Sequence, residues 1–176
     1  VMKDSLRVIL IVLVATLIFA RSLFAEKDAA NLTIPKNWVY SDRASELSGY
    51  EVYFTSSDPK EALSVLIKTI PEPNQSALQW ANDEAENLKL KGTKILVSPV
   101  EITVNKRPWV KLETLVYVKS KDGKTSTARS EQYFAKQGSD SMVEVCVAGR
   151  EMNFNASNRQ GIEELLSSFS SDVKEV

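Results

Sequence analysis

The sequence predicts an α+β domain, a largely antiparallel sheet with helices packed on it. Three observations lead there. Apolar residues alternate with period two in several short runs, hairpin turn signals separate those runs, and two further segments switch to the 3.6-residue period of a helix. Consecutive hairpins make neighbouring strands antiparallel, and two amphipathic helices each require a sheet face to cover. The chain has 176 residues, a length that suits about one domain. It shows no internal repeat, low-complexity tract or linker.

The elements follow in order. Lys3 and Arg7 precede a thirteen-residue run, 8–20, that is apolar except for Thr16, which is the build of a signal-peptide core and short of the ~20 residues that cross a bilayer as a helix. Leu23 and Ala25 place a cleavage point before Glu26. The alternative is a retained anchor running on through Leu23 and Phe24, with Arg21 inside it at a cost of a few kcal/mol. Residues 1–25 are therefore expected to be a signal peptide, 26–33 a flexible leader and 34–172 a single domain. Losing Lys3, Asp4, Arg7 and Arg21 leaves 19 basic and 22 acidic side chains.

Within the domain, Ile34 to Asp42 is expected as a first strand around Trp38. Residues 50–55 and 64–70 are expected as the second and third, the latter stopped by Pro71 and Pro73. Ser76 and Gln79 form a capping box. Leu78, Ala81, Ala85 and Leu88 then recur on one helical face, and Gly92 supplies a left-handed end. Strands follow at 94–98, 100–105, 109–119, 125–136 and 142–148. Asp122-Gly123 suits a tight hairpin turn, and Gln137-Gly138-Ser139-Asp140 makes a second. A closing helix carries Ile162, Leu165, Leu166 and Phe169, with Ser157 and Gln160 as its capping box. Gly161 inside it costs ~1 kcal/mol against alanine.

Composition excludes several chemistries. The chain has no histidine and one cysteine. Serine–histidine and cysteine–histidine catalysis, histidine zinc sites, internal disulfides and cysteine clusters are absent. No Gly-x-Ser-x-Gly elbow, glycine-rich phosphate loop or calcium-loop spacing occurs, so no cofactor is expected. With 22 basic and 23 acidic residues, the chain lacks the basic excess of a nucleic-acid binder. Cys146, inside an apolar strand, reads as a small core residue. Sequons at Asn31, Asn74 and Asn155 are read as chance.

Two constellations remain. Glu113 and Glu131 should lie close across the hairpin, either as a hydrolytic carboxylate pair or as a solvated face paired with Lys111 and Arg129. Trp109, Tyr117 and Tyr133 share the less apolar sheet face and are candidates to line a groove for an apolar ligand or a partner. The candidate binding set is thus Trp109, Tyr117, Tyr133, Glu113, Arg129 and Glu131. A lipid carrier would need a pocket lined by side chains such as Leu112, Val116 and Leu166. Lys119, Lys121, Lys124 and Arg129 read as a solvated hairpin edge.

The opening Ile34-Pro35-Lys36-Asn37-Trp38, the strand Gly49-Tyr50-Glu51-Val52-Tyr53-Phe54, and a final helix with Leu165-Leu166-Ser167-Ser168-Phe169 resemble the PsbP-like and DcrB-like exported proteins. Photosystem II extrinsic subunits and a Ran-binding nuclear protein share that fold. The resemblance spans roughly residues 32–170. It implies an α/β/α sandwich, usually without catalysis, acting as an accessory or binding module in the periplasm or outside the cell. Its partner would be a protein or an apolar ligand, with membrane contact only through a retained anchor. The histidine metal sites of photosynthetic members, the lipidated cysteine of DcrB and the Ran partnership do not carry over.

Overall fold

The computed structural model describes residues 32–71, 74–119, 125–138 and 141–169. The export segment, most of the leader, the Asp122-Gly123 turn, Ser139-Asp140 and residues 170–172 lie outside them. Seven strands form one sheet: β1 (Val39–Tyr40), β2 (Glu51–Phe54), β3 (Ser64–Pro71), β4 (Lys94–Val104), β5 (Arg107–Lys119), β6 (Thr125–Gln137) and β7 (Ser141–Gly149). Their order across the sheet is β1-β2-β3-β7-β6-β5-β4, and every neighbouring pair is antiparallel. Helices α1 (Asp42–Ser48), α2 (Ala77–Leu90) and α3 (Ala156–Ser167) complete the domain, with a 3-10 turn at Glu151–Asn153. Among the described residues no helix is long and apolar enough to cross a membrane.

The sheet is apolar on both sides at its centre, which makes the sandwich three-layered. Val65, Ile67, Val143, Val145 and Val147 face α3, where Ile162, Leu165 and Leu166 meet them and Phe169 follows. The alternate positions face the other way. Ile70, Val110, Leu112, Phe134 and Met142 pack under Ala81, Ala85 and Leu88 of α2. Val52, Leu66 and Cys146 pack under Ala44 of α1. Cys146 is buried and unpaired; burial pushes its thiol up to about 12 against the Ser130 hydroxyl, with Glu144 and Glu84 adding to the rise.

Ser76 caps α2 as expected, its hydroxyl accepting the Gln79 amide at 3.2 Å, and Gly92 turns left-handed with φ 79°. Three expectations need correction. The first strand shrinks to Val39–Tyr40, because the Trp38 amide donates back to the Pro35 carbonyl in a turn and α1 begins at Asp42. Runs 94–98 and 100–105 are one strand; β4 absorbs Pro99 through register shifts between Ile95 and Val97 and between Val97 and Val100. The cap of α3 is Asn155, whose side chain accepts the Asn158 amide at 3.0 Å, rather than Ser157. Gly161 has a packing reason: a Cβ there would stand 3.2 Å from Trp38 Nε1.

One turn carried no glycine signal. Asn105 and Lys106 join β4 to β5 with φ of 47° and 66°, the geometry of a type I′ turn. Lysine is strained there, so Lys106→Gly is expected to stabilise the domain by about 0.5–1 kcal/mol in urea unfolding.

Candidate functional site

The β5–β6 ladder sets Glu113 directly opposite Glu131, Leu115 opposite Arg129 and Lys111 opposite Tyr133. All six therefore share the α3 side of the sheet. Lys111 Nζ reaches Glu113 Oε1 at 2.5 Å and Glu131 Oε2 at 3.4 Å. Arg129 Nη2 reaches Glu113 Oε2 at 2.6 Å and Glu131 Oε1 at 2.9 Å, while its Nη1 reaches Glu151 at 2.8 Å. Arg159 of α3 adds a contact to Glu131 Oε1 at 3.3 Å, and Tyr133 donates its hydroxyl to Glu131 Oε2 at 2.5 Å. The guanidinium carbons of Arg129 and Arg159 lie 5.3 and 5.4 Å from the Phe154 ring centroid. Three cations thus meet three carboxylates, the two arginines against the Phe154 ring and Lys111 against that of Tyr133, 5.7 Å from its centroid.

This cluster is charge-paired as expected, but it is not solvated. Glu131 is 0% exposed and Glu113 8%, because the start of α3 and the 3-10 turn close over the hairpin. Arg129 belongs to this cluster rather than to a solvated hairpin edge. Burial alone would raise Glu131. The Tyr133 hydroxyl, then Lys111, Arg159 and Arg129, outweigh that and hold the carboxyl below its usual range. Tyr133 is correspondingly raised, by burial first and then by Glu131. A hydrolytic acid needs a carboxyl held protonated near neutrality, and Glu131 is pushed the other way. Among the described residues no group of three or more carboxylate or thiol side chains is placed to hold a metal ion.

The three aromatic candidates do not share one groove. Trp109 is 1% exposed and meets Phe169 edge-on at 5.2 Å between centroids; Tyr133 is 5% exposed beneath the ionic cluster. Tyr117 stands 56% exposed, eight residues along β5 from Trp109 and so roughly 26 Å away. Nor can Leu112 and Leu166 line a single lipid pocket, since they pack on opposite faces of the sheet.

The open part of the α3 face lies beyond the cluster. Val97 pairs with Glu113, Val100 with Lys111 and Lys94 with Leu115, which places Val97 and Val100 at the edge of the ionic cluster; exposed Tyr117 lies on the same face, four positions beyond Glu113 along β5 and so roughly 13 Å on. Val97 and Val100 are 38% and 43% exposed. This strip eluded sequence reasoning because the irregularities around Pro99 hide the period of β4.

Comparison of the folded chain with solved structures identifies the class. The fold is PsbP-like: the solution structure of cyanobacterial PsbP (CyanoP) from Synechocystis sp. PCC 6803 superposes with a TM-score of 0.51 at 16% identity, covering 84% of this chain and 89% of that one. LpqN of Mycobacterium tuberculosis, described as involved in cell envelope biogenesis, gives 0.49 at 14% identity over 84% of this chain and 85% of its own. A Bacteroides thetaiotaomicron protein gives 0.46 at 12% identity; the match takes in 77% of this chain but only 42% of that one. No protein-family profile and no curated protein sequence matches the chain.

Proposed function

We propose that the protein is an exported accessory module, periplasmic or secreted and without catalysis of its own, that holds a partner protein on the open end of its α3-side sheet face. The observation that carries this reading is the exposure of Val97, Val100 and Tyr117 on the sheet face that also carries the buried, charge-paired cluster. Exposed aromatic and branched side chains on an immobile floor are what a protein partner buries at the centre of an interface. The largely apolar residues 8–20 behind Lys3 and Arg7 support export. A protein partner is favoured over a lipid because the leucines that would line a carrier pocket are divided between the two faces.

The test is site-specific photo-cross-linking in envelope preparations of the source organism. A photoreactive residue at Tyr117 is expected to give one discrete adduct, with this chain's share of its mass starting at Glu26. Val100→Glu should abolish that adduct, and the same photoreactive residue at Asp83, on the opposite side of the sheet, should give none. Equal adducts from both positions, or a chain that never leaves the cytoplasm, would overturn the reading.

A further inference from the structure

The sheet ends in two unlike edges. β1 is two residues long, whereas β4 runs for eleven and, among the described residues, has no strand on its outer side. A long open edge invites pairing with another chain. The first half of β4 is guarded against that: its register shifts between Ile95 and Val97 and again before Val100, and Pro99 has no amide to offer. The second half is regular. Val100, Glu101, Ile102, Thr103 and Val104 pair in turn with Lys111, Val110, Trp109, Pro108 and Arg107. Four of these five are β-branched, and the segment carries no proline or lysine to blunt it.

The hairpin tells which backbone groups of that segment point outward. A two-residue type I′ loop closes on a pair that exchanges both hydrogen bonds, here Val104 and Arg107. Alternation makes Ile102 with Trp109 the next such pair. Pro108, which cannot donate, stands opposite Thr103 in a pair that exchanges none, so the two signals agree. Glu101 and Thr103 therefore turn their N–H and C=O groups away from β5, and both residues are exposed. These groups lie symmetrically about Ile102.

We propose that Val100–Val104 pairs antiparallel with the same segment of a second copy, joining two sheets across a two-fold axis at Ile102. Glu101 then exchanges both hydrogen bonds with the second copy's Thr103, and the reverse, so that no outward group of the segment is left over. On the α3 side Ile102 meets Ile102 and Val100 meets Val104. That covers an apolar row whose first member is 43% exposed and whose other two are only partly buried against the core. No like charges stand opposite each other, since Glu101 faces a threonine. A surface that complements itself in hydrogen bonds, apolar contact and charge favours a second copy over an unrelated strand. The edge is independent of the partner surface around Tyr117, and purified protein suffices to test it.

The pairing sets the two Ile102 Cα atoms about 4.5 Å apart, a separation that a disulfide spans. Ile102→Cys is therefore expected to give a covalent dimer under mild oxidation. Thr103→Cys, whose counterpart across the axis is Glu101, should give little, and the wild type, with Cys146 buried, none. Sedimentation of the wild type should show a reversible dimer as concentration rises. Thr103→Pro removes an amide that β5 does not use, so it should leave a folded monomer and weaken association roughly tenfold or more, because two hydrogen bonds go. If the proline unfolds the domain, the two cysteine variants still decide. Equal disulfide yields from Ile102→Cys and Thr103→Cys, or a wild type that stays monomeric up to ~1 mM, would overturn the pairing.

Discussion

Replacing Glu131 by alanine is expected to destabilise the domain by about 3–5 kcal/mol, read as a fall in the urea midpoint at unchanged slope. The cost arises from what is left behind. Lys111, Arg129 and Arg159 all converge on this carboxylate, and without it they are too many for Glu113 and Glu151. Tyr133 also loses its acceptor under cover, a further ~1–3 kcal/mol effect of the same origin. Glu131→Gln keeps the shape and one acceptor, so it should fall short of the alanine loss.

The converse variant separates stability from recognition. Changing Lys111 and Arg129 to methionine and Glu113 and Glu131 to leucine removes the buried pairs together, and such replacements are often neutral or stabilising. If the cluster serves as the stiff floor of a partner surface, this variant folds yet gives a weaker Tyr117 cross-link. The pH dependence carries a further signature. Glu131 is held below its ordinary value, so its contribution is present above the unfolded-state value and disappears as pH falls through the folded-state value.

The elements that were legible in the sequence are those whose signals are local. Ser76 and Gly92 bracket α2, and the leucine and alanine spacing between them needs no tertiary information. Helix α1 was invisible for a physical reason. Its seven residues hold Ala44 and Leu47 as their only apolar side chains, too few for a period, and so short a helix persists only through docking. Its anchors are tertiary: Ser45 Oγ accepts the Val52 amide at 2.9 Å, and Ala44 fits over Leu66 and Cys146. The cap of α3 was misplaced because Asn155, Ser157 and Asn158 can all cap. Asn158 is instead committed to the carbonyls of Glu61 and Asn153 at 3.1 and 2.8 Å, a tie from distant sequence.

The site divides along the same line. Opposition of Glu113 and Glu131 follows from counting back from the hairpin turn, which is local arithmetic. Their burial does not, because it depends on where α3 and the 3-10 turn land, and that is decided by Trp38, Ile162 and Leu165 across the molecule. The Val97–Val100 strip needed the register of β4, which its irregularities conceal.

Trp109 offers the second large effect and decides between core and groove. Trp109→Ala is expected to cost about 3–5 kcal/mol, since the indole is 1% exposed and packs with Val65, Val145 and Phe169. Part of that anchors the chain beyond α3: aromatic pairs add ~0.5–1.5 kcal/mol over plain burial, so Trp109→Ala and Phe169→Leu should be non-additive by about that amount in a double-mutant cycle. Trp109→Phe should be milder than its volume loss suggests, because the buried indole N–H has no hydrogen-bond partner and its removal leaves nothing orphaned. A groove-lining tryptophan would behave otherwise: its loss would leave the unfolding midpoint in place and appear only in ligand binding. A midpoint unmoved by Trp109→Ala would therefore return Trp109 to the binding surface and remove the reason for placing the partner at Tyr117.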